Sequence, residues 1–116
     1  MKKFLLSFLT VLFGAVTMSA ESVTFDFANE TYGLTRQTDN SGAYIDNGVV
    51  VENGGVSITL NKTEGKNGWR LWTDGLRAYK NSGTAMTITA SKNIASVEFT
   101  KRTSYIIVNQ LEFNMI

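Results

Sequence analysis

Asn53-Gly54 and Asp74-Gly75 each stand between two short runs in which apolar and polar residues alternate. Asn-Gly and Asp-Gly between alternating runs are the strongest short-range signals for tight β-hairpins, because both residues tolerate the positive φ that such turns demand. Val49–Glu52 and Val56–Asn61 flank the first pair. A two-residue loop at Asn53-Gly54 sets Val51 opposite Val56 and Val49 opposite Ile58, with Leu60 on the same face. Trp69–Thr73 and Leu76–Lys80 flank the second. A loop at Asp74-Gly75 sets Trp72 opposite Arg77, Leu71 opposite Ala78 and Arg70 opposite Tyr79.

The same two-residue period appears elsewhere. Val23, Phe25 and Phe27 alternate with Ser22, Thr24 and Asp26, as in a half-buried strand. Thr84–Ala90 places Met86, Ile88 and Ala90 on one side. Ile94–Thr100 turns Val97 and Phe99 inward against Ser96, Glu98 and Thr100. Turns are expected at Lys80–Gly83 and Ser91–Asn93, and polar loops over Asn29–Gly42 and Lys62–Gly68. The tail from Tyr105 to Ile116 suits a strand or two, with its phase broken between Val108 and Leu111. Short strands at this spacing predict an all-β antiparallel sandwich or barrel.

The N-terminus reads as an address. Lys2 and Lys3 precede an apolar run from Phe4 to Val16, and small residues follow up to Ala20. That is the layout of a secretory signal peptide, helical in form, with cleavage expected after Ala20 and a cut after Ser19 as the alternative. The run is too short to cross a bilayer, so no membrane span is expected once the leader is gone. Residues 21–116 are then one domain that buries only ~60–70% of its unfolded surface. The expected location is secreted, periplasmic or at the cell surface. The absence of Cys, and so of stabilising bridges, suits a bacterial exported protein.

Composition removes several chemistries. With no Cys and no His, no thiol nucleophile, His-dependent relay or Cys/His zinc site can be assembled. The formal charge is +1, and loss of Lys2 and Lys3 brings it to about −1; binding nucleic acid through bulk charge is not expected. Carboxylate pairs remain the one hydrolytic option. The acids are spread singly from Asp26 to Glu112, and none sits in an apolar run that would raise its pKa. Asp39-Asn40-Ser41-Gly42 and Asp46-Asn47-Gly48 offer oxygens to calcium but lack the spacing of a calcium loop and read equally as turns. No cofactor and no metal are expected, and the chain reads as no enzyme.

The segments Asn67–Trp72, Leu76–Lys80, Met86–Ala90 and Ile94–Thr100, with the opening Val23–Phe27, resemble small secreted β-sandwich modules of anaerobic gut bacteria, often of unassigned function. Those modules pair an Arg-x-aromatic strand with a Leu-Arg-x-Tyr strand, then add a Thr-rich strand and an Ile-x-x-Val-x-Phe-Thr strand. The likeness covers residues 21–100 and implies a galactose-binding-like jelly roll. Lys101–Ile116 departs from the pattern: either the module is truncated there or its C-terminus is unrelated. An incomplete sandwich with an unpaired edge is the expected consequence.

The hairpin at 69–80 holds the candidate ligand-binding residues. Trp69, Leu71, Leu76 and Ala78 share a core face, while Arg70, Trp72, Arg77 and Tyr79 share the other. Cations alternating with rings are stabilised by ~0.5–1 kcal/mol per exposed pair. A face with rings and two guanidinium groups is expected to stay partly exposed, because an unpaired buried charge is costly. Arg donors beside Trp and Tyr suit a glycan, an acidic one above all. Alternatively the pairs only hold the strands together, or the rings pack under a neighbouring loop. The expected function is a non-catalytic extracytoplasmic carbohydrate-binding module. The alternative is a structural or adhesion module, with a carboxylate-dependent hydrolase ranked last.

Overall fold

The structure is a computed structural model that describes residues 21–116 apart from 40, 41, 66, 81 and 103–105. The signal-peptide helix lies outside the described residues, as do Asn40 and Ser41 of the first candidate calcium turn and Asn81 of the expected turn at 80–83.

The described chain is all-β, with eight strands: β1 (Glu21–Asp26), β2 (Val49–Asn53), β3 (Val56–Asn61), β4 (Trp69–Trp72), β5 (Gly75–Ala78), β6 (Ala85–Ala90), β7 (Ile94–Arg102) and β8 (Ile106–Met115). They form a five-stranded and a three-stranded sheet, the latter in the order β2-β3-β6. All pairings are antiparallel, and the sheets enclose one apolar core in a β-sandwich-like fold.

β8 organises the larger sheet. One of its edges pairs with β7 from Ile107 to Met115. The other pairs with β1 along Gln110–Met115 and with β5 along Ile106–Val108; β4 lies beyond β5. The segment that departs from the module pattern therefore supplies the central strand. The broken phase noted in the tail is a β-bulge inside one continuous strand. Thr100 pairs with Gln110 and Lys101 with Val108, which leaves Asn109 unpaired. The bulged residue is put to use: its Nδ2 donates to the Asp74 carbonyl at 2.6 Å, and its own carbonyl accepts from the Ala28 amide at 3.2 Å.

The core forms where alternating apolar positions of the two sheets meet. Phe25, Phe27, Ile58, Leu60, Leu71, Leu76, Leu111 and Phe113 are fully buried. Phe25 packs its ring edge-on against Phe113, centroids 5.9 Å apart.

Both expected hairpins form, each slipped by two residues. In the first, Val51 faces Ile58 and Val49 faces Leu60, so the turn is Gly54-Gly55. Both glycines take positive φ, +56° and +84°, the requirement for a type I′ turn. Asn53 instead ends β2 and donates to the Thr24 carbonyl at 2.9 Å. In the second, Leu71 faces Leu76 and Trp72 faces Gly75, so Thr73-Asp74 makes the loop. Gly75 is drawn into β5 because β8 passes close by: a Cβ there would meet the Val108 carbonyl oxygen at 2.4 Å. A slip of two preserves which face each side chain occupies. Trp69, Leu71, Leu76 and Ala78 are accordingly buried in the core.

Val97 and Phe99 correct a second expectation. They stand opposite Phe113 and Leu111 and so share the core-facing side of the sheet. Yet they are 39% and 57% exposed. The smaller sheet stops at β6, and nothing among the described residues covers β7.

Candidate functional site

The segment between β1 and β2 runs along the outer edge of β4. Arg36 bridges to Leu71 and Ile45 to Trp69. The Gln37 amide donates to the Leu71 carbonyl at 2.7 Å and the Ile45 amide to the Trp69 carbonyl at 2.8 Å. Arg36 ties the segment down by donating to three backbone carbonyls, those of Phe27 at 3.0 Å, Trp72 at 2.5 Å and Glu30 at 3.1 Å. Tyr44 and Gly42 are thereby carried over Arg70.

Arg70 is the centre of the cluster. It is 2% exposed, contrary to the expectation of an exposed guanidinium. Two features explain how the charge is tolerated. Its Nη atoms donate to the Tyr79 hydroxyl at 3.2 Å and to the Gly42 carbonyl at 2.5 Å. Its guanidinium carbon also lies 3.9 Å from the centroid of the Tyr44 ring, with the Tyr79 and Trp72 rings at 5.5 and 5.8 Å. Ring faces are a desolvated cation's natural neighbours, worth about 2 kcal/mol or more in such settings. Its Nε is buried without a hydrogen-bond partner.

The four residues expected at the site converge. The Trp72 Nε1 donates to the Tyr79 hydroxyl at 3.0 Å, so that oxygen accepts from both Arg70 and Trp72. Arg77 lies over the same ring, 4.1 Å from the centroid. Tyr44 meets Tyr79 edge-on at 5.3 Å. Trp72, Arg77 and Tyr79 are half-buried. The pairings differ from those expected: Arg70 stands opposite Arg77 rather than Tyr79, and Tyr79 lies just past β5, its amide donating to the Gly68 carbonyl at 2.8 Å. Tyr44, Gly42 and Arg36 were not legible as members of the site, since they sit in an aperiodic stretch whose path depends on where β4 lies.

Away from this cluster a concavity opens between β6 and β7. This groove of about 550 Å³ is lined by Trp69, Ala78, Met86, Phe99, Ile106 and Val108, among others. Among the described residues no group of three or more acids, His or Cys could hold a metal ion, and no helix is long and apolar enough to cross a membrane. No family model, curated protein or solved structure matches the chain.

Proposed function

We propose that the protein is a non-catalytic binding module that works outside the cytoplasm and holds carbohydrate on the outer face of the β4–β5 hairpin. The observation that carries this reading is the Trp72–Tyr79–Arg77 group: two half-buried rings and a guanidinium on one rigid hairpin. Sugar rings present flat C–H faces that stack on such rings, while guanidinium N–H groups reach hydroxyl or acidic oxygens. The hydrogen bond between Trp72 and Tyr79 and the packing of Arg77 on Tyr79 hold these side chains in place beforehand, so little rotamer entropy is lost on binding. The leader-like segment Met1–Ala20 supports export, and the resemblance to secreted sandwich modules supports the same class of function.

A structural or adhesion module is the second reading, favoured by one observation: β7 presents nine exposed residues along a sheet edge.

Retention on immobilised polysaccharides separates the two. Trp72→Ala is expected to weaken glycan binding by ~1–2 kcal/mol if it is an ordinary interface anchor. Tyr79→Ala should weaken it as well, but it also removes an acceptor from buried Arg70, so its fold must be checked alongside. Retention by no polysaccharide, or retention indifferent to Trp72→Ala, would count against the carbohydrate reading.

A further inference from the structure

The observed register lines up three arginines. Arg70 stands opposite Arg77, Arg77 opposite Ile107, and Ile107 opposite Arg102. Directly opposed residues share a sheet face, so Arg70, Arg77, Ile107 and Arg102 form one transverse row across β4, β5, β8 and β7. With strands about 4.8 Å apart, the Arg77 and Arg102 backbones stand about 10 Å apart across Ile107. Ile107 is 1% exposed, and its side chain reaches toward Gly75, where a Cβ would lie 2.9 Å from its Cγ2.

Like charges opposed across a sheet are unfavourable, and each of these is compensated differently. Arg70 is sealed beneath Tyr44. Arg77 lies on Tyr79. Arg102 meets the Asp74 carboxylate, Nε to Oδ2 at 3.4 Å, with the two side chains 49% and 40% exposed. An exposed ion pair of this kind contributes little and exchanges readily.

We infer that Arg77 and Arg102 form a two-point anion site for an acidic polysaccharide, with Asp74 as the internal anion that a ligand carboxylate or sulfate displaces. This rests on the glycan reading above and specifies its substrate class. The planar donor fork of a guanidinium matches a carboxylate or sulfate. Trp72 and Tyr79 lie on the β4 side of Arg77, away from Arg102, and take the sugar units that continue past Arg77. The near-neutral overall charge means that the attraction is local to this row rather than general to polyanions.

The test is titration of the purified protein with a polyuronate, a sulfated dextran, uncharged dextran and a single-stranded DNA oligonucleotide. Arg102→Ala, Asp74→Asn and Trp72→Ala are compared with the unsubstituted protein, with circular dichroism to verify folding. One or both acidic polysaccharides should bind about tenfold or more tighter than dextran, and which of them binds assigns carboxylate or sulfate. Arg102→Ala should weaken acidic binding about tenfold, the loss of one charge-assisted contact, and leave dextran binding unchanged. Asp74→Asn should strengthen it by about two- to fivefold, the gain from removing a weak exposed pair. Trp72→Ala should weaken charged and uncharged glycans alike. Equal binding of dextran and acidic polymers, indifferent to Arg102→Ala, overturns this inference and leaves the glycan reading standing. Binding of no polysaccharide by folded protein overturns both. DNA bound as tightly as the acidic polysaccharides overturns the assignment to a glycan.

Discussion

Arg70 and Tyr44 lie face to face, the guanidinium carbon 3.9 Å from the ring centroid, although one belongs to β4 and the other to the long segment between β1 and β2. The contact lets a sheet carry a charged side chain that is 2% exposed, and it fixes the loop that roofs the candidate site.

Tyr44→Ala is therefore expected to destabilise the fold by about 2 kcal/mol, the worth of a desolvated cation–ring contact. Tyr44→Phe keeps the ring and should stay within about 0.5 kcal/mol of the unsubstituted protein. Urea denaturation of the two variants measures the difference. Equal losses would show that the hydroxyl, not the ring, is what matters.

Trp69 and Trp72 are three residues apart in sequence and have opposite roles. Trp69 is 6% exposed, and its Nε1 donates to the Asn61 carbonyl at 3.0 Å. Trp69→Ala should cost ~3–5 kcal/mol, a large share of the ~5–15 kcal/mol that holds a small domain together. Thermal melts should show partial or complete unfolding. A fold indifferent to Trp69→Ala but lost with Trp72→Ala would mean that the faces of β4 are inverted.

Gly48 and Gly75 separate conformational strain alone from strain combined with collision. At Gly48, φ is +90° and a Cβ meets nothing within 4 Å, so Gly48→Ala should cost only ~1–2 kcal/mol. At Gly75, φ is +156° and a Cβ would also collide with the Val108 carbonyl oxygen. Backbone must move to admit it, and about 3 kcal/mol or more is expected. Comparing the two denaturation midpoints tests this, and a smaller loss for Gly75→Ala would refute the close approach of β8.

β7 carries Val97 and Phe99 at 39% and 57% exposure along an outer edge. The bulge at Ala95 and the core-side placement of Lys101 are devices that discourage edge pairing at either end, but the stretch between them is regularly paired and carries Val97 and Phe99 uncovered on one face. Concentration-dependent self-association is expected. Phe99→Lys should reduce it while changing stability by no more than about 0.5 kcal/mol. Sedimentation velocity over a concentration series provides the measurement, and a monomer at every concentration would contradict it.

The leader-like segment Met1–Ala20 predicts a mature chain that begins at Glu21. Mass spectrometry of the exported protein reads this directly. A soluble, folded species that still carries Met1–Ala20 would refute it.

The sequence by itself determined where most strands lie and which face of each is apolar. Val56, Ile58 and Leu60 alternate with Ser57, Thr59 and Asn61, and Trp69 and Leu71 with Arg70 and Trp72, so the buried faces follow from a local period of two. A hairpin slip of two residues leaves that parity untouched, which is why the faces were legible while the turns were not. Tertiary structure decided the rest, because each remaining feature depends on a distant neighbour. Gly75 belongs to a strand rather than a turn because β8, some thirty residues later, passes against it. Val97 and Phe99 are exposed because the second sheet ends at β6, which their own alternation does not report. Arg102 joins the row of Arg70 and Arg77 only because Asn109 bulges out of β8 and resets the pairing by one residue. Tyr44 closes over Arg70 because backbone bridges at Arg36 and Ile45 dock an aperiodic loop on β4. Side-chain parity is a property of the local chain; opposing partners and covering layers are properties of the fold.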